Sequence, residues 1–194
     1  CVASTIAGCY NRDIVEFYKQ AGAGRVILPR DVTLEDMKKI TDAHKDLEYE
    51  VFMMKCGCMF SDSNCLGMHR NEMCSFCLSL REAHNDIVME DGAFSQQSAA
   101  ELNNQLYQQW FHYYSCGLCA IYHFLSMNIT AGKIVGRGES WENICREIQL
   151  VRQNITIAEQ CSSNEEYLEK MVIPGDKRER CKMGLSCYYP EVRF

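Results

Sequence analysis

Four cysteines fall within the stretch CMFSDSNCLGMHRNEMCSFC, at Cys58, Cys65, Cys74 and Cys77, and a C-x-x-C pair follows downstream at Cys116 and Cys119. Thiolates gathered this densely serve three chemistries: disulfide crosslinking, ligation of a soft metal, or redox exchange. A [4Fe–4S] cluster takes four thiolates from polar loops, commonly one close pair with more distant partners, and this set supplies that pattern. A tetrahedral zinc site would accept the same residues, with CSFC as one knuckle. The residues alone leave iron–sulfur and zinc open, with disulfides third.

Composition narrows the setting. The chain has 194 residues, 47% hydrophobic and 24% charged, which suits an ordinary globular domain with a real core. No run of eighteen apolar residues occurs, so no membrane span is expected. A formal charge of -6 argues against broad, nonspecific phosphate binding. Thirteen cysteines is an odd total, and the long helical patterns and three prolines do not resemble a small disulfide scaffold. A reducing, cytoplasmic setting is therefore expected, although Asn128 and Asn154 each begin an Asn-Ile-Thr sequon. Ile6-Ala7-Gly8-Cys9 matches the short pattern before lipidated cysteines, but no basic and apolar leader precedes it, so lipidation is not expected. Cys1, Cys9 and Cys145 lie in apolar or amphipathic segments and read as packed thiols. Cys161, Cys181 and Cys187 could form a second site or a redox pair.

The elements that must position these residues alternate. The patterns predict parallel-type strands at about 2–9, 25–29, 47–54 and 132–136. Helices are predicted after Asn11, after Thr33 (with Asp36 completing a capping box) and after Ser140. The stretch 98–125 reads as helix in two pieces broken near Gly117. A polar segment from Glu159 to Lys170 leads into an extended tail, CKMGLSCYYPEVRF. Strands alternating with helices of this size imply βαβ units, and four such units are half of a (β/α)8 barrel. The chain is accordingly expected to be a piece of a longer protein.

The succession AST, GAGRVILPRDVTLEDM, LEYEVFMMKCGCMFSDSNC, CSFC, LCAIYHF and GKIVGRG resembles peptidase family U-32, the collagenase-like peptidases. The likeness runs from about Ala3 to Ile155. In that family the strand before the cysteines reads approximately EVFVHGALC, matched here by Glu50, Val51, Phe52 and Cys58; Cys65, the Cys74/Cys77 pair and Lys133-Ile134-Val135-Gly136-Arg137 match later blocks. Met54 stands where the family has histidine and Val135 where it has an acidic residue, so chemistry resting on those groups would differ here.

The resemblance implies an α/β fold of parallel (β/α) units: the C-terminal half of a triosephosphate-isomerase-type barrel over 1–158 with a cysteine-rich loop at 56–77, then a tail over 159–194. It also implies a [4Fe–4S] cluster on four of Cys58, Cys65, Cys74, Cys77 and Cys119, the last matched through LCAI, with Zn2+ as the alternative cofactor. Relatives of this kind support oxygen-independent hydroxylation of a quinone precursor or of a base in RNA. The implied function is redox modification of a small aromatic ring or nucleobase, with RNA as a candidate partner and a related family member as a candidate hetero-oligomer. Residues at the C-terminal ends of barrel strands face the active-site mouth, which nominates Arg30 and Arg137 as substrate ligands, with Ser4 and Thr5 nearby. His69, in the cysteine loop, is a candidate proton donor or substrate contact. Neither H-E-x-x-H nor G-x-S-x-G occurs, so peptide hydrolysis has no local signature, and no catalytic residue is nominated. A collagenase-like peptidase and a non-catalytic scaffold remain the alternatives.

Overall fold

A computed structural model of the chain describes residues 1–55, 57–58, 63, 69–70, 73–74, 115–136, 139–173, 181 and 187–193. Its main sheet has four parallel strands: β1 (Val2–Ala3), β2 (Arg25–Ile27), β3 (Glu48–Met54) and β6 (Ile129–Ile134), in that spatial order. Between them run α1 (Arg12–Gln20), α2 (Leu34–Ala43) and α3 (Ile121–Ser126); α4 (Trp141–Glu159) and α5 (Asn164–Lys170) follow β6. A separate antiparallel pair, β4 (His69–Arg70) and β5 (Met73–Cys74), places His69 opposite Cys74.

Each predicted cap closes its helix. The Asn11 side chain accepts from the Asp13 and Ile14 amides at 3.0 Å each, satisfying donors that the first turn of α1 leaves unpaired. Thr33 accepts from the Asp36 amide at 3.2 Å while its hydroxyl donates to the Asp36 carboxylate at 3.0 Å. Ser140 accepts from the Asn143 amide at 3.3 Å and starts α4.

Several expectations change. Cys1 and Cys145, read as packed thiols, are exposed, and only Cys9 of the three is buried. The strand expected at 132–136 runs over Ile129–Ile134. The first strand was expected to reach residue 9, but only Val2–Ala3 pair with β2; Thr5–Ala7 form a 3-10 turn that Gly8 ends in the left-handed region, at φ 65°. A side chain at Gly8 would also strike Ser63 Cβ at 2.8 Å. The polar stretch 159–170 is helical over α5. Ser163 caps it, and the one fully buried residue, Tyr167, donates its hydroxyl to the Leu118 carbonyl at 2.6 Å.

Side-chain alternation divides β3 by face. Tyr49 points to α2, where its hydroxyl donates to the His44 carbonyl at 3.1 Å, and Tyr49, Val51 and Met53 join the core with Val15, Met37 and Ile40. The opposite face carries charge at its lower end: Arg25 bridges Glu48 at 2.7 Å and Glu50 at 3.6 Å, and Lys133 reaches Glu50 at 3.2 Å. Phe52 stands above this network on the same face.

Both sequon asparagines are used internally. Asn128 donates to the Lys45 and Leu47 carbonyls at 3.0 Å each. Asn154 is fully buried; its amide donates to the Leu150 and Val172 carbonyls at 3.0 and 2.9 Å and accepts from the Val172 amide at 2.9 Å. Asn154→Ala leaves the Val172 amide and carbonyl without these partners. At about 1–3 kcal/mol per buried unsatisfied group, the urea midpoint should fall clearly with little change in the slope; an unchanged midpoint would refute the clamp. Among the described residues, no helix is long and apolar enough to cross a membrane.

Candidate functional site

The C-terminal end of β3 gathers more functional groups than any other described region, because three separate segments close on it. Met54 pairs with Cys116, the Gly117 amide donates to the Met53 carbonyl at 2.8 Å, and the Lys55 amide donates to the Ser115 carbonyl at 2.8 Å. The turn carrying Cys116 and Cys119 is thereby fixed at the strand end from which Cys58 emerges. Gly117 is required there: a Cβ would lie 2.7 Å from the Tyr189 ring and 2.9 Å from the Phe52 carbonyl oxygen. The third segment is the tail, where Tyr189 donates its hydroxyl to the Phe52 carbonyl at 2.9 Å and Tyr188 donates to the Lys55 carbonyl.

Lys55 is the root of the cysteine loop and is held in an uncommon way. Its φ is 62°, the one positive value at a non-glycine among the described residues, where a side chain costs about 1–2 kcal/mol. The side chain is nearly buried and its ammonium meets two carboxylates, Glu139 at 2.9 Å and Glu147 at 3.0 Å. Burial pulls the ammonium pKa down, but hydrogen bonds and charge from both glutamates outweigh it and hold the group above the ordinary lysine value. Asn143 adds a donor to Glu139 at 3.1 Å, while Glu147 Oε2 is buried with no hydrogen-bond partner among the described residues. Strain of this kind persists where surrounding contacts over-determine a residue, typically at functional sites.

The predicted site residues are distributed as follows. Arg30 lies beyond the end of β2, with its guanidinium carbon 3.7 Å from the centre of the Phe52 ring, a desolvated cation–π contact. Tyr188 packs on the other reach of Phe52, ring centres 5.8 Å apart. Arg30 therefore sits at the same strand end as the Cys116–Cys119 turn. Ser4 and Thr5 follow β1, Thr5 inside the 3-10 turn. Cys58, in the segment after β3, and Cys119, in a short 3-10 turn over Leu118–Ala120, are both half-buried. Cys74 and His69 are placed by their backbone pairing only. Cys65, Cys77 and Arg137 lie outside the described residues, as do residues 98–114 of the predicted helix. Among the described residues, no three histidine, cysteine or acidic side chains are grouped as a metal site. Two of the five candidate thiols have described side chains, and half-buried thiols such as these fit soft-metal donors by type.

Lys55, Glu139 and Glu147 escaped sequence reasoning. The one available signal was a lysine directly before the first loop cysteine, which by itself names no partner.

Comparison with known proteins places this arrangement. The sequence model of peptidase family U32 matches residues 1–189. A tRNA hydroxylation protein P of Escherichia coli (strain K12) is 36% identical over 63 residues, 32% of this chain and 14% of that protein. Its namesake from Haemophilus influenzae is 35% identical over 63 residues, again 32% of this chain and 14% of the relative. These matches thus span under a sixth of either curated relative's length. No solved structure matches the chain.

Proposed function

The chain belongs to peptidase family U32, and from that premise we propose that it is the site-bearing part of a metal–thiolate protein that assists hydroxylation of a nucleobase in RNA. The observation that carries this reading is the convergence at the end of β3. Cys58, Cys119 and Arg30 all lie at that end of the sheet, so candidate soft-metal donors adjoin a guanidinium, itself backed by the buried Phe52 ring, that suits a flat aromatic ligand. The relatives named for tRNA hydroxylation support RNA over a free quinone precursor as substrate.

The barrel reading is supported by the winding. Strands β1, β2, β3 and β6 add in sequence order with no reversal, which is the winding of a barrel and lacks the switch point of a doubly wound sheet. Residues 1–158 would form the half-barrel with its cysteine-rich insertion, and 159–194 would pack across it. Four of Cys58, Cys65, Cys74, Cys77 and Cys119 would hold a [4Fe–4S] cluster, with zinc as the alternative. A bound cluster supplies single electrons, which peptide hydrolysis does not require. The chain's own part is to orient the substrate ring: the Arg30 guanidinium, backed by Phe52, offers stacking and hydrogen bonding, Arg137 a second cation, and His69 a proton donor or acceptor. The setting is cytoplasmic, and a related family member is a candidate partner subunit.

Deleting the gene in its host and analysing RNA nucleosides by mass spectrometry tests the proposal. One hydroxylated nucleoside should disappear and return with the wild-type gene but not with the Cys58→Ser form. Peptide release from denatured collagen that survives removal of iron and sulfide would overturn the reading in favour of a peptidase.

A further inference from the structure

Cys116 is paired on both sides. It faces Met54 at the end of β3, and it forms a parallel bridge with Cys187, in which the Tyr188 amide donates to the Cys116 carbonyl at 3.1 Å. Residues opposed on neighbouring strands lie about 4.7–4.9 Å apart, inside the roughly 4.4–6.8 Å between Cα atoms that a disulfide spans. Parallel partners also direct their side chains to the same face. Burial pushes the Cys187 thiol pKa up and the adjacent Cys116 pushes it further, so the two sulfurs lie within each other's field. Both residues are partly exposed thiols, within reach of a small reagent.

The two sulfurs differ in character. The Leu118 amide donates to Cys116 Sγ at 3.5 Å. Cys187 has burial working against its ionisation. Cys116, which carries the amide contact, is accordingly assigned the attacking role and Cys187 the resolving one.

We propose that Cys116 and Cys187 are a redox modification site that closes to a disulfide and locks the C-terminal strap over the end of β3. From Cys187 onward the strap is also held by Tyr188 to the Lys55 carbonyl, Tyr189 to the Phe52 carbonyl, and Glu191 accepting from the Leu34 amide at 2.9 Å, with the Tyr188 and Tyr189 rings packed on Phe52 and Phe124; a disulfide would add a covalent tie to these contacts. The oxidant is a low-molecular-weight disulfide. The Cys116 thiolate attacks one of its sulfurs, forming a mixed disulfide and releasing one small thiolate, which takes up a proton. Cys187 then loses its proton to solvent and attacks the Cys116 sulfur, expelling the second small thiolate. Two protein thiols are oxidised by two electrons, and one small disulfide is reduced to two thiols. In a reducing compartment such a bond is transient and regulatory. Neither cysteine belongs to the five proposed metal ligands, so this site stands whether or not the cluster reading does.

The test incubates the reduced full chain with excess oxidised glutathione, quenches with acid, alkylates, and maps the peptides by mass spectrometry. The expected product is a Cys116–Cys187 crosslink. Cys9, fully buried with its thiol pushed up to about 11, should remain reduced as an internal control. Oxidised wild type should melt at a higher temperature than reduced wild type, and Cys187→Ser should lose that difference. A Cys116–Cys119 crosslink as the main product, or a Cys187 left reduced or merely glutathionylated, would overturn the proposal.

Discussion

Lys55→Met should destabilise the protein by about 3–5 kcal/mol, the usual cost of removing one partner from a buried ion pair. Methionine keeps the length of the side chain and removes its charge. Glu139 and Glu147, whose side chains are 18% and 14% exposed, would then lose the ammonium that lies between them. Adding Glu139→Gln and Glu147→Gln to Lys55→Met should restore much of the loss, because an uncharged set has no such penalty. Urea unfolding of the three proteins measures this, and a loss under about 1 kcal/mol for Lys55→Met would place the triad among weak surface pairs. The pH dependence has a defined sign. The folded ammonium titrates above the ordinary lysine value, so its contribution is complete below about pH 10 and is lost as pH rises through the folded value. Wild type should therefore lose stability more steeply than Lys55→Met in strongly alkaline solution.

Cys58→Ser should abolish metal binding. A serine hydroxyl is a hard, weakly acidic donor, and soft metals and iron–sulfur clusters depend on thiolate. Cys58 leaves the sheet three residues after Lys55, so the strand end that fixes Lys55 also limits where that thiol can go. Cys119→Ser decides whether the LCAI cysteine or both members of the Cys74/Cys77 pair complete the set. Cys145→Ser, on the exposed side of α4, should keep the metal. Retention of metal by Cys58→Ser would remove this cysteine from the ligand set.

The parallel sheet was legible because its signals are local. RVILPR is a short, continuously apolar run of the kind buried on a parallel sheet, LEYEVFMM reads as the next strand, and Asn11, Thr33 and Ser140 are caps that act within three residues of themselves. The first strand misled because CVASTIAGCY is strand-like in composition, whereas its pairing stops at Ala3 opposite Val26 and the chain then turns into the 3-10 segment Thr5–Ala7. Helix α5 went unread because few apolar residues mark it, although Ser163 with Glu166 is a capping signal visible in the sequence. The candidate site was half legible. Cysteine spacing and the position of Arg30 after a strand pointed to the right end of the sheet. The Arg30–Phe52 stack, the Lys55 triad and the Cys116–Cys187 pairing join residues distant in the chain, and no local pattern encodes which partner each one meets.

The central claim, a thiolate-bound cluster beside the end of β3, is tested most directly by purifying the protein without oxygen and measuring its metal and sulfide. The account predicts a brown protein with broad visible absorption and about four iron and four sulfide per chain. A colourless protein carrying about one zinc per chain under the same handling would contradict it.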